Sequence, residues 1–229
     1  MCGRYSLHHR SERIVERFDV QSVLFEHEPR YNIAPGQAVP VILSRESNTL
    51  YGFKWGLVPA WADDPSIGNR MINARAETIT QKPAFRDVLE RRRCLIPADG
   101  FYEWRKQSSG RDPVFIRRKD GDIFAFAGLW EKWTAPNGEP LWTTTIITVE
   151  PNQLVDEVHN RMPAMLSREH EALWLDKGFR RPEALLSLLS PYPDDLLESY
   201  DVSRSVNHVE NDSPELIVPV QTYKTDKLF

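Results

Sequence analysis

Short apolar segments bounded by turn residues fill the middle of this chain, and that spacing limits its folds more than any other feature. Residues 39–43, 51–58, 94–97, 114–118, 123–129 and 142–149 read as strands, the last rich in threonine and isoleucine. Pro40 marks the first as an edge strand, because proline donates nothing to a ladder. Residues 114–118 and 123–129 are predicted to pair as a hairpin through Asp120-Gly121. Helical patterns are confined to the flanks. One follows a Ser11 cap through Phe18, and one opens at Pro83 and closes on Arg91-Arg92-Arg93. A short one starts near Pro151, and two more cover residues 169–175 and 182–189. With no repeat and no linker, this pattern predicts a single α+β domain.

Several function classes are excluded at this level. The chain has 229 residues, 41% hydrophobic and 27% charged, as a globular domain of this size requires. No apolar run approaches the roughly 20 residues that span a bilayer, so no membrane partner is expected. The N-terminus lacks a signal peptide's apolar core, which predicts a cytoplasmic location. Two cysteines, Cys2 and Cys94, leave no disulfide scaffold and no cysteine-rich zinc site. His8 and His9 are adjacent, and the six histidines never fall at i, i+4, so neither a metal nor another cofactor is expected. Net charge is −4, yet residues 70–132 hold 14 Lys/Arg against 9 Asp/Glu, while residues 150–200 hold 5 against 10. A local basic face of that kind binds phosphates whatever the total.

Four polar residues stand out chemically. If Met1 is removed, Cys2 carries a free α-amine two carbons from a thiol. With pKa values near ~8 and ~8.5, both are partly nucleophilic at neutral pH. Such a 1,2-aminothiol closes on an aldehyde to give a thiazolidine, which no internal cysteine can do. The competing reading is a cysteine in a frayed terminus. Glu103 lies between Tyr102 and Trp104. Against aromatic rings a carboxylate has a raised pKa and serves as general acid or base; pointing to water, it does neither. His159 precedes Arg161 and Pro163 after a short helix, where a lone histidine is more often structural or a surface residue. Asn73, Arg75 and Glu77 alternate as the polar face of a strand.

Six segments stand in order: Met1-Cys2-Gly3-Arg4-Tyr5, Tyr31-Asn32-Ile33-Ala34-Pro35, Trp55-Gly56-Leu57-Val58-Pro59, residues 72–78 (INARAET), residues 94–104 (CLIPADGFYEW) and His159-Asn160-Arg161-Met162-Pro163. Together they resemble the SRAP family, the SOS-response-associated peptidases or abasic-site shields. The resemblance implies one SRAP domain over residues 1–220, with mostly antiparallel sheets forming a barrel-like core and a disordered tail at 221–229. It further implies covalent capture of abasic sites in single-stranded DNA through Cys2, after autoproteolytic removal of Met1. Glu103 would then transfer protons, His159 would assist sugar opening and reversal, and Asn73 would orient the amine or the sugar. Arg4, Arg75, Arg86 and Arg161 become candidates for phosphates, and Trp61 for base stacking. Asn32 and Pro35 would form the turn beside the abasic nucleotide. A monomer is expected, nucleoid-associated when bound to damaged DNA. Asn160 stands where the family often has aspartate. Three other readings stay open: a thiol peptidase acting on outside substrates, a glutamine amidotransferase-like hydrolase, and a non-covalent single-strand binder.

Overall fold

The computed structural model describes residues 2–44, 46–107 and 110–220. Met1 and the tail expected at 221–229 lie outside the described residues. In chain order the strands are β1 (Tyr5–Leu7), β2 (Val20–Val23), β3 (Arg30–Ile33), β4 (Ala38–Ser44), β5 (Asn48–Trp55), β6 (Asn73–Arg75) and β7 (Arg93–Ala98). There follow β8 (Gly100–Gln107), β9 (Gly110–Arg118), β10 (Phe124–Thr134), β11 (Pro140–Val149), β12 (Met162–Pro163), β13 (Met165–Leu166) and β14 (Leu197–Asp201). The helices are α1 (Ser11–Arg17), α2 (Pro83–Arg91), α3 (Gln153–Asp156), α4 (Arg168–Leu175) and α5 (Pro182–Ser187).

Strands β11, β10, β7, β4 and β5 pair in that order, and β5 returns to β11 through Thr143↔Lys54 and Thr144↔Trp55. That last, parallel pairing closes a five-stranded barrel and removes its open edges. Beside it lies an antiparallel sheet in the order β14-β9-β8-β1-β3. The expected α+β domain, with a barrel-like core of mostly antiparallel strands and flanking helices, is what forms. Barrel and sheet share one core. The Tyr5 ring of β1 meets Trp55 of β5 at 5.4 Å and Phe126 of β10 at 5.7 Å, both edge-on. Edge-to-face rings at this distance suit the aromatic quadrupole.

Three local expectations are corrected. Residues 114–118 and 123–129 do not pair: β9 lies between β8 and β14, whereas β10 pairs with β7, β11 and β13. The turn at Asp120-Gly121 is real, with Gly121 at φ 67° and its N–H donating to Arg118 O. It passes the chain from one sheet to the other. Val114–Ile116 and Ile123–Ala127 are wholly buried, so nothing in their pattern ties them to a shared sheet. Pro40 is not on an edge strand: β4 sits between β5 and β7, in register with β7 at Ile42↔Leu95. Ser11 is the first residue of α1 rather than its cap; its hydroxyl accepts from His27 N–H at 2.8 Å.

At the β7–β8 corner, Gly100 is required for packing. A Cβ there would lie 2.0 Å from the Phe115 ring. No described helix is long and apolar enough to cross a membrane.

Candidate functional site

Strand β1 delivers the chain's first residues to β8. Beyond the Tyr5↔Phe101 pair, the N–H of Tyr102 donates to Arg4 O at 3.0 Å. That bond continues the antiparallel alignment one residue further, and Cys2 lies near enough to Glu103 to feel its charge. Cys2 is 0% exposed, so the frayed-terminus reading does not hold. Its thiol is pushed well up, first by burial and then by the negative charge of Glu103. Glu103 is 2% exposed, and burial pushes its carboxyl up to about 7. The carboxyl pKa thus sits at the operating pH, where one group can both give and take a proton.

Asn73 enters from β6, which runs parallel to β11 through Ile146↔Asn73. The polar face expected over residues 73–77 is shorter than that, because Ala76–Thr78 turn into a 3-10 helix. Asn73 Nδ2 donates to Ile72 O at 3.0 Å, the same carbonyl that Trp55 Nε1 reaches at 2.8 Å. Trp55 in turn packs on Tyr5. The amide is thereby fixed with its Oδ1 buried and accepting no hydrogen bond. Tyr5 Oη is likewise buried without a hydrogen bond, and its pKa is pushed well up by burial and by Cys2.

His159 stands in the half-buried turn after α3, a helix capped by Asn152 Oδ1 accepting from Val155 N–H. Burial and the cationic Lys106 and Arg111 at the β8–β9 end lower its pKa. Arg161 holds the turn: its Nη2 donates to Thr148 O at 2.6 Å and to Glu77 Oε2 at 3.0 Å. Cys2 and Glu103 are electrostatically coupled, Asn73 is joined to them through Trp55 and Tyr5, and His159 lies on the side of Lys106 and Arg111. Tyr5, Glu77, Lys106 and Arg111 were not singled out from sequence. The excess of cations over residues 70–132 was the available signal for the last two.

The residues proposed for DNA divide. Trp61 is 62% exposed. It lines a groove of about 440 Å³ with Pro83, Asp87 and Arg91 of α2, the helix that carries exposed Arg86. Arg75 is exposed, and Pro35 is half-buried in its turn. Arg4 is half-buried, its Nη1 donating to Asn32 Oδ1 at 2.6 Å and Val206 O at 2.7 Å, with its guanidinium 5.8 Å from the Trp104 ring. Asn32 is 0% exposed, and its Nδ2 donates to His208 O and Asn211 O. It braces Arg4 and the segment from Val206 to Asn211 from beneath. Arg161 has its guanidinium committed to Glu77 and Thr148 rather than to solvent. A separate cavity of about 490 Å³, near Arg17, Asn48 and Arg168, holds none of these residues.

Residues 1–209 match the family model described as SOS response associated peptidase (SRAP). The chain is 48% identical over 221 residues to the abasic site processing protein YoqW of Bacillus subtilis, covering 95% of this chain and 99% of that one. It is 34% identical to the abasic site processing protein HMCES of Gallus gallus, covering 85% of this chain and 67% of that one. A crystal structure of a Bacteroides thetaiotaomicron protein superposes with a TM-score of 0.88 at 28% identity, over 96% of this chain and all of the other. The match over residues 1–209, with relatives of near-equal length, establishes that this chain belongs to the SRAP family.

Proposed function

We propose that this protein processes abasic sites in DNA by covalent capture through Cys2. The observation that carries the reading is a buried cysteine at position 2 coupled to a carboxyl whose pKa is raised to about 7. Removal of Met1, by autoproteolysis, frees the Cys2 amine. The amine attacks C1′ of the ring-opened sugar aldehyde, and Glu103 protonates the departing hydroxyl to leave an imine and one water. Cys2 Sγ then adds to the imine carbon while its proton passes, through Glu103, to the nitrogen. One C–N bond and one C–S bond form, and one water is lost. Ring closure is intramolecular, where effective molarities reach roughly 10⁵ M or more. The thiazolidine carries no imine to drive strand cleavage, so the lesion is shielded.

The other residues take roles that their surroundings support. Asn73 Oδ1, accepting nothing at present, receives a hydrogen bond from the amine. Neutral His159 assists opening of the sugar and reversal. Arg75, Arg86, Lys106 and Arg111 meet the backbone of single-stranded DNA, and Trp61 stacks on a base. Such contacts read no sequence, and binding falls steeply with salt. A thiol peptidase is less well supported, because burial beside a carboxyl disfavours a resting thiolate.

Intact-mass spectrometry after mixing with an abasic oligonucleotide tests the reading. The expected product is one chain lacking Met1 plus one oligonucleotide less one water. An adduct of the same yield from Cys2→Ala, or from protein that keeps Met1, would overturn it.

A further inference from the structure

The other end of β1 carries a second cluster that the Cys2 chemistry does not use. Leu7 ends the strand, and His8 and His9 leave it together. Consecutive strand residues point to opposite faces; here both Nδ1 atoms face one carboxylate oxygen. His8 Nδ1 lies 2.8 Å from Asp99 Oδ2, and His9 Nδ1 lies 3.1 Å from the same atom. The ligating atoms of the three residues all fall within 4.8 Å of one another.

We propose that His8, His9 and Asp99 form a binding site for a divalent transition metal of the zinc class. Two imidazoles and one carboxylate are a donor set that such ions favour. Bonds of 2.0–2.1 Å in a tetrahedron put neighbouring ligands roughly 3.3 Å apart, close to the two His–Asp separations, and the two imidazoles, within 4.8 Å of each other, would close to that distance on binding.

The surroundings are those of a built site. Asp99 is fixed at the β7–β8 corner, its N–H donating to Ser6 O at 3.0 Å. Ser6 Oγ donates to Asp99 Oδ1 at 2.5 Å, an outer hydrogen bond that orients the carboxylate and leaves Oδ2 facing the imidazoles. The Asp99 side chain is 1% exposed, so it is already desolvated. The His8 ring is held between stacked neighbours, His9 at 4.6 Å and Tyr31 at 5.6 Å. His8 Nδ1, although 2.8 Å from the carboxylate, is buried and makes no hydrogen bond of acceptable geometry. Oδ2 already accepts the His8 backbone N–H at 2.5 Å and is hydrogen-bonded to His9 Nδ1 at 3.1 Å. A cation between the three ligands would replace the His9 contact and give His8 Nδ1 the bond it lacks. The imidazoles are 27% and 29% exposed, which provides entry and room for a water as fourth ligand. The ion would clasp the turn after β1 to the β7–β8 corner, at the far end of the strand from Cys2.

The test uses full-length untagged Cys2→Ser protein, which takes the Cys2 thiol out of competition for the metal. After chelation and desalting, it is titrated calorimetrically with zinc chloride and, separately, with cobalt chloride followed by visible absorption. The expected result is one ion per chain, a raised Tm with zinc, and a ligand-field spectrum with cobalt. His9→Gln and His8→Gln, both at partly exposed positions, should each weaken zinc at least ~10-fold. Absence of stoichiometric uptake, or uptake unchanged in the His8→Gln/His9→Gln double variant with a native circular dichroism spectrum, would overturn the proposal.

Discussion

The backbone N–H of Arg161 donates to Nδ1 of His159 at 3.0 Å. That contact is shorter than the 3.3 Å approach of the same Nδ1 to Arg161 O, and it favours the neutral tautomer with its proton on Nε2. Burial and the nearby cations lower its pKa, so the neutral form persists to lower pH than in an ordinary histidine. Nitrogen-correlated NMR should find the Nε2–H tautomer at pH 7 and a titration below 6.5. A Nδ1–H tautomer, or a higher midpoint, would remove the neutral donor from the proposed chemistry. His159→Gln should slow release from a preformed adduct more than it slows capture.

Cys2→Ser keeps the amine but replaces the thiol with a far weaker nucleophile. Its capture should stop at an imine that survives denaturation only after borohydride reduction. A heat-stable adduct without reductant would rule out ring closure through sulfur.

Glu103 also affects stability. Its carboxyl moves from an ordinary value of 4.5 up to about 7 on burial. Between those values the folded protein holds the proton and the unfolded chain has lost it, so stability is fully present below about 4.5 and declines as pH rises toward 7. The loss is on the order of 3 kcal/mol at one pKa unit per 1.36 kcal/mol. Glu103→Gln should flatten urea-derived stability across this window and slow cross-linking while sparing affinity for intact single strands. A parallel fall in affinity would make Glu103 a binding residue instead.

Glu77 and Thr148 hold Arg161 and hence the His159 turn. Glu77→Ala should cost little stability, ~1 kcal/mol or less for an ion pair with one exposed member. Its larger effect should be on cross-linking rate, because a loosened turn no longer fixes the imidazole. Wild-type rates with an unchanged His159 NMR signal would show that Thr148 alone suffices.

Gly100→Ala puts a methyl group into the Phe115 ring. Overpacking of this kind costs about 1–3 kcal/mol, read as a lower urea midpoint. Adding Phe115→Leu should recover part of the loss; no recovery would place the strain in the backbone of the corner.

Much of this molecule was legible from residues alone. Alternation and turn chemistry located β4, β7, β11 and the Pro83 helix, since apolar periodicity and proline act locally. The ordered segments from Cys2 to Pro163 pointed to the family. What sequence did not decide was which strands meet. Pairing of fully buried strands depends on long-range burial, so β9 and β10 part across Asp120-Gly121 and β5 closes the barrel on β11. Tertiary structure also decided the electrostatics. The raised Glu103 carboxyl needs desolvation, and a residue in β8 gains that only from its tertiary surroundings. For the same reason His8 and His9 looked inert: the carboxylate they face lies some ninety residues further on, brought there by the pairing of β1 with β8.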